Sequence, residues 1–253
     1  MHNEKLNQPQ DVKKYYDDWT DRYLDTVGKI FQSYRSTEED EMFDYYIDVM
    51  GIKQQQFVLD AGCGVGGPIL ALNKKIAANF TGITISPYQI ELANKFYSES
   101  KNSLKGGTVT FKEGDFHNLS SMFPEESFDH AIFLESFGHS NNPQKLMKEV
   151  YTVLKKGGQL YIKDFYRKLS SDAETKAKID ETIANLNKHY CYNKPDLAET
   201  LNAIREAGFE LLFVRPPHFL ADPKIKKAFV KKYNLTGLGY GAIDTYEIKC
   251  VKP

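Results

Sequence analysis

Phe57-Val58-Leu59-Asp60-Ala61-Gly62-Cys63-Gly64-Val65-Gly66-Gly67-Pro68 is the stretch on which the fold is read. β-prone residues lead into an acid, and four glycines then fall within six positions. Such a run predicts a buried strand, a tight turn and a helix start, with Pro68 suited to the first helical position, where its missing N–H costs nothing. Glycine permits positive φ and lets another group come close to the backbone. The N–H groups at the helix start are then expected to face a small, partly polar ligand.

Outward from this turn the chain alternates strands with helices. Further strands are predicted over 80–85, 109–111, 128–134, 160–164, 209–214 and 245–251. Between them, Ser86-Pro87-Tyr88-Gln89 matches a capping box. Helices are predicted over 142–156, begun by Pro143 and stopped by Gly157, and over 195–207, stopped by Gly208. The alternation implies an α/β fold: a doubly wound, Rossmann-like, mostly parallel seven-stranded sheet with helical covering insertions. Ligands gather at the carboxyl ends of such strands. Asp60, Thr84, Asp115, Glu135 and Asp164 all stand at those ends.

Upstream, Val12, Tyr16, Trp19, Tyr23 and Val27 recur at helical spacing and are read as a helix packed on the core rather than a lid over a ligand. A second helix is expected with Thr37 as N-cap and Gly51 past its end. Ile179, Ile183, Leu186 and Tyr190 define a helix that covers either the sheet edge or its ligand. The chain is therefore expected to form one domain over 1–253. Residues 11–51 would be an N-terminal helical cover, 57–165 the ligand-binding core, and 166–194 and 216–243 covering insertions.

With 33 basic and 34 acidic side chains the formal net charge is -1, which makes no electrostatic case for nucleic acid as a partner. Cys63, Cys191 and Cys250 are odd in number and form no C-x-x-C pair, so neither a disulfide framework nor a zinc site is expected. No His/Asp/Glu cluster has metal-ligand spacing, and metal independence is expected. Residues 1–10 lack an apolar signal core, and no run is long enough to span a bilayer. A cytoplasmic protein without stable membrane insertion is the expectation. The lysines Lys224, Lys226, Lys227, Lys231 and Lys232 are read as a solvated helix face, with contact to a substrate phosphate as the competing role.

Gly62 to Gly67 formally satisfies G-x-G-x-x-G, a weak signal alone. Two features speak against a dinucleotide. The carboxylate of Asp60 at the mouth of the turn would repel a pyrophosphate and attract an ammonium group. At the end of the second strand, where an acid would hold an NAD ribose, stands Thr84.

Val58-Leu59-Asp60-Ala61-Gly62-Cys63-Gly64, then Gly114-Asp115-Phe116, then Val153-Leu154-Lys155-Lys156-Gly157-Gly158-Gln159-Leu160 occur in this order, and their joint occurrence resembles the class I S-adenosylmethionine-dependent methyltransferases. Within that family, Gly62 to Pro68 and Gly82-Ile83-Thr84-Ile85-Ser86-Pro87-Tyr88-Gln89 look most like sterol and small isoprenoid C-methyltransferases. The Thr-x-Ser-x-x-Gln element is also similar to that of cyclopropane fatty-acid synthases. The resemblance implies S-adenosylmethionine as cofactor. Asp60, Gly62 and Gly64 would hold its methionine part, Thr84, Ile85 and Gln89 its ribose, and Asp115 and Phe116 its adenine. Gln32 and Ser33 lie where relatives often touch the cofactor.

Methyl transfer from a sulfonium is an in-line displacement that needs positioning, worth up to about 7–11 kcal/mol, more than a protein nucleophile. A base is needed if the acceptor carries a proton, and a stabiliser if an alkene attacks and leaves a carbocation. Glu135 and His139, four residues apart after the fourth strand, are the candidates, and the resemblance implies a similar acid and histidine there; Glu135 also borders the cofactor site. Tyr16, Trp19 and Tyr166 are the candidate acceptor contacts, as aromatic residues flanking the sheet mouth. The reading is methylation of a small, apolar or isoprenoid-like metabolite at carbon. Oxygen or nitrogen methylation is the alternative, followed by an RNA or protein methyltransferase and a non-catalytic nucleotide-binding module.

Overall fold

The computed structural model describes residues 6–33, 35–194, 196–220 and 241–253. The lysine run from Lys224 to Lys232 and most of the glycine-rich bend before Gly241 lie outside the described residues. Helices α1 (Pro9–Val27) and α2 (Glu39–Met50) precede β1 (Phe57–Ala61), α3 (Gly67–Asn73), β2 (Asn79–Thr84), α4 (Pro87–Ser100) and β3 (Val109–Glu113). The chain continues through α5 (Leu119–Met122), β4 (Phe128–Leu134), α6 (Pro143–Val153), β5 (Leu154–Arg167), α7 (Ala173–Tyr190), α8 (Leu197–Glu206), β6 (Glu210–Arg215) and β7 (Ile243–Val251).

The seven strands form one sheet in the order β3-β2-β1-β4-β5-β7-β6. Strands β1 to β5 pair in parallel, and β7 runs antiparallel between β5 and β6. After β1 the chain moves outward to β2 and β3, then returns to place β4 on the other side of β1. That reversal opens a crevice beyond the carboxyl ends of β1 and β4, where ligands of such sheets bind. Successive strand residues face opposite layers, so Leu59 and Phe133 join a core with α6 and α8, while Val58 and Ile132 join one with α2 and α3. The three cysteines are free and buried.

The glycine turn has the geometry its sequence implies at two positions. Gly62 has φ 92°, and a Cβ there would overlap Ser136. Gly67 lies against the carbonyl of Lys29, so any side chain would strike the backbone that links α1 to α2. One expectation about this turn is corrected. Pro68 is the second residue of α3, with Gly66 as N-cap. The N–H groups of Gly62 and Cys63 both donate to Ile83 O at 2.9 Å, which sews the turn to β2 and removes these two donors from any ligand.

Other local signals are read differently once packing is in place. Thr37 does not cap α2; Glu38 stands at that position with no side-chain cap. Helix α6 ends at Val153, not at 156, because Leu154 already pairs with Phe128 in the sheet. Helix α1 forms as expected, but only Val12, Thr20 and Val27 of it are buried. Its aromatic stripe lines open space beside the sheet mouth instead of filling the core. Helix α7 packs through Ile179, Ile183 and Leu186 on Phe165 of β5 and Ile243 of β7, covering the sheet beyond the strand ends.

Candidate active site

A cleft opens at the switch point, where small-molecule sites of such sheets lie. Of the residues proposed from sequence, Gly62, Gly64, Thr84, Ile85, Gln89, Asp115, Phe116, Glu135, His139 and Tyr16 line it. Cys63, His117, Ser136 and Phe31 also do so. The signals for His117 and Ser136 were adjacency to Asp115-Phe116 and to Glu135.

Asp60, at the end of β1 just before the glycine turn, is not among the residues that line this cleft and is only 1% exposed. Its Oδ2 is buried with no hydrogen-bond partner, and burial pushes its carboxyl up to about 7. A buried carboxylate oxygen without a donor, beside a glycine turn, fits a ligand that brings its own cationic group. Thr84 donates to Gln89 Oε1 at 2.6 Å, and Gln89 Nε2 donates to Thr20 Oγ1 of α1 at 3.1 Å. Ser86 caps α4 by accepting from Gln89 N at 3.1 Å, but the Gln89 side chain does not complete the capping box. It sits between β2 and α1, where a hydroxyl-bearing ligand would meet it. Asp115 is both a turn residue and a wall of the cleft. Burial works to raise its carboxyl, but the ring and backbone N–H groups of His117, at 2.7 and 2.9 Å from its Oδ1, outweigh this and hold it below the usual carboxylate range. His117 in turn contacts Ser140 Oγ at 2.8 Å.

Glu135 and His139 do not act as one face of a helical turn. Residues Phe137–His139 make a single 3-10 turn, and Glu135 has φ 64°, so the two side chains go to different partners. The Glu135 carboxylate pairs with the buried ammonium of Lys163 on β5 and accepts from Ser33 N at 2.5 Å. Burial raises the Glu135 carboxyl and lowers the Lys163 ammonium, while each partner's charge opposes that trend. Lys163 also donates to Gln32 Oε1 at 3.3 Å, so Gln32 and Ser33 reach the site through Glu135 and Lys163. A charged residue within the apolar run Tyr161-Ile162-Lys163 was the sequence signal for this pair. Gln32 Nε2 is a second buried polar atom without a partner.

His139 is held from both sides. Its Nδ1 stands 2.9 Å from Cys191 O, a pure acceptor, so Nδ1 carries the proton. Burial pushes the imidazolium down to about 4, so the ring is neutral near pH 7 and its Nε2 accepts the hydroxyl proton of Tyr16 at 2.8 Å. The segment supplying Cys191 O is anchored by a buried pair, Lys194 with Asp164 at 3.3 Å, while Asp164 accepts from Gly138 N at 2.9 Å.

Two aromatic candidates fall outside the cleft. Tyr166 is fully buried in the core with its ring beside Tyr246, because its position in β5 turns it inward. Trp19 lines a neighbouring groove with Tyr23, Phe31, Gln32, Ser33 and Tyr190. Phe31 is common to groove and cleft. Among the described residues, no group of three or more His, Cys, Asp or Glu side chains could hold a metal ion, and no helix is long and apolar enough to cross a membrane.

Residues 59–162 match the model of a methyltransferase domain. The chain is 32% identical over 211 residues to a sterol 24-C-methyltransferase of Aspergillus fumigatus, covering 79% of this chain and 54% of that protein. It is 30% identical over 267 aligned positions to the sterol 24-C-methyltransferase of Pneumocystis carinii, covering 94% of this chain and 69% of that protein. The chain spans about half the length, 53–54%, of the first curated relatives it matches. In fold it is similar to the [4+2]-cyclase SpnF, with a TM-score of 0.77, 19% identity and coverage of 99% and 98% of the two chains. It is also similar to geranyl diphosphate C-methyltransferase from Streptomyces coelicolor, with a TM-score of 0.71, 17% identity and 97% of each chain covered. With a switch-point cleft built on the glycine turn and relatedness over nearly its whole length, the chain belongs to the class I S-adenosylmethionine-dependent methyltransferases, related to the sterol C-methyltransferases.

Proposed function

We propose that this protein methylates a carbon of an apolar, isoprenoid-like small molecule, using S-adenosylmethionine. When bound, that cofactor supplies a methyl carbon on a sulfonium, open to in-line displacement. Asp60 would hold its ammonium, Thr84, Ile85 and Gln89 its ribose, and Asp115 and Phe116 its adenine; Gly62 and Gly64 let it approach the turn. The orphaned Oδ2 of Asp60 supports this assignment.

The observation that carries the reading is the neutral Tyr16–His139 pair in that cleft. An alkene acceptor that takes a methyl group becomes a carbocation, and a neighbouring C–H must then lose its proton. The Tyr16 oxygen accepts that proton as its own hydroxyl proton passes to His139 Nε2. An imidazole whose conjugate acid titrates near 4 is a weak base. It is poorly matched to a hydroxyl or an ammonium acceptor, yet adequate for a C–H beside a cation, which favours carbon as the site of methylation. Glu135, fixed by Lys163 and Ser33, then serves as an anchor and a buried negative charge rather than as the base.

The acceptor's apolar tail is assigned to the groove of Trp19, Tyr23, Phe31 and Tyr190, whose ring faces also favour a nearby cation. The test uses S-adenosylmethionine carrying an isotopically labelled methyl group, offered with a sterol or isoprenoid alkene, a phenol and an amine. Label on a carbon of the alkene is expected. Label on the phenol or amine alone overturns carbon methylation, and binding without transfer to any acceptor overturns the enzymatic reading. Trp19→Ala is expected to raise the alkene's KM about tenfold, as loss of one aromatic wall implies, with cofactor affinity unchanged. An unchanged KM would place the tail elsewhere.

A further inference from the structure

The ribose seat and the proton-accepting tyrosine are joined through a residue that neither role requires. Thr20 is fully buried on α1, one helical turn beyond Tyr16. Its hydroxyl donates to Tyr16 O at 2.6 Å, which spends its one proton, so toward Gln89 Nε2 it acts as acceptor, at 3.1 Å. Gln89 Oε1 is held in turn by Thr84 at 2.6 Å. A continuous chain therefore runs from the end of β2 through the first turn of α4 into α1, and ends on the backbone of the residue that bonds His139.

The other bonds between α1 and α4 are nearer to solvent. Ser86 Oγ donates to Asp17 Oδ1 at 2.5 Å, and Tyr88 OH donates to Asp21 Oδ1 at 2.7 Å across an exposed contact. Only three residues of α1 are buried, so apolar packing alone does not fix the helix; Arg35 Nη2 ties its last residue by donating to Val27 O at 2.6 Å, and Thr20 is the enclosed tie on the side of Tyr16 and α4. Gln89 has two N–H donors and gives one of them to Thr20. The second remains for a ribose hydroxyl, and a ligand that takes it fixes the Gln89 side chain and, through Thr20, the seat of α1.

We infer that Thr20 is a positioning residue that couples the cofactor's ribose seat to Tyr16, so that the acceptor meets an aligned Tyr16 only after the cofactor has bound. This rests on the cofactor reading above. By reciprocity, the coupling makes each ligand bind more tightly in the presence of the other.

The test is amide hydrogen exchange of the full chain, with and without S-adenosylhomocysteine, in wild type, Thr20→Val and Thr20→Ser. Valine keeps the branched shape and removes both hydrogen bonds; serine keeps the hydroxyl. In wild type the ligand is expected to slow exchange across α1 by about fivefold or more, the scale of a typical coupling. In T20V that protection is lost while protection of β1 and β2 remains, acceptor KM rises and kcat falls; T20S restores all three. Equal protection of α1 in T20V overturns the inference. So does a T20V protein that loses protection of the strands as well, provided T20S also fails to restore it, since Thr20 would then be merely structural. If wild type binds S-adenosylhomocysteine but α1 is not protected, only the coupling fails. If it does not bind, the cofactor reading and the coupling fall together.

Discussion

Tyr16→Phe and His139→Ala are each expected to lower kcat by about 100- to 10,000-fold, the usual contribution of a positioned proton acceptor. Affinity for S-adenosylhomocysteine should stay within a few-fold of wild type. The two groups share one proton path, so the double variant should be little slower than either single one. Phenylalanine removes only the hydroxyl that bonds Nε2 and keeps the ring, which separates proton transfer from packing. Steady-state rates with saturating acceptor provide the measurement, and multiplicative losses in the double variant would show two independent roles. Because burial holds the His139 imidazolium near 4, kcat should be flat between pH 5.5 and 8 where an ordinary histidine would titrate. The same shift bears on stability. The folded pKa lies below the unfolded one, so the contribution of His139 is present above about 6.5 and is lost as pH falls toward 4.

Asp60→Asn is expected to weaken cofactor binding by about 100-fold or more, since it removes the charge that faces the ligand's ammonium. It should do the opposite to stability, and the sign follows from the pKa. The folded carboxyl titrates near 7 and its ordinary value is 3.8, so the folded protein holds this proton more tightly than the unfolded chain. Its stabilising contribution is complete below 3.8 and is lost as pH rises through 7. The stability of D60N relative to wild type should therefore improve by up to about 4 kcal/mol between pH 4 and pH 8, read from denaturant unfolding at each pH. Cofactor affinity in wild type should rise with pH up to about 7 and then level, because the carboxylate must be ionised to meet the ammonium. A D60N variant with no pH-dependent gain would mean that Asp60 is compensated by a partner; one with unchanged affinity would move the ammonium elsewhere.

Much of the architecture was legible because its determinants are local. The glycine turn, the Ser86 cap and the period of each strand act within a few residues of chain, and all seven strands appear where periodicity placed them. Boundaries shifted where sheet pairing overrode helix signals, as at Leu154, which pairs with Phe128 although lysines and Gly157 mark a later helix end. Helical spacing along α1 reports one shared face and not what that face meets: Val12 and Val27 are buried, whereas Tyr16, Trp19 and Tyr23 line the cleft and the groove beside it. Tyr166 failed as a site residue for a related reason: alternation along β5 decides which way a side chain points, and at this position it points into the core.

By itself the sequence determined the sheet, the turn and the strand-end positions of Asp60, Thr84, Asp115 and Glu135, since each follows from residues adjacent in the chain. Only the tertiary structure decided which partners these groups have. Tyr16 meets His139 across 123 positions, Gln89 meets Thr20 across 69, and Lys163 takes Glu135 across 28. Those pairings tie Glu135 to Lys163 and set the helix-face Tyr16 against His139 in the cleft. They depend on how α1 and β5 are brought to one crevice, and on the low dielectric there, which sets the protonation states of Asp60 and His139.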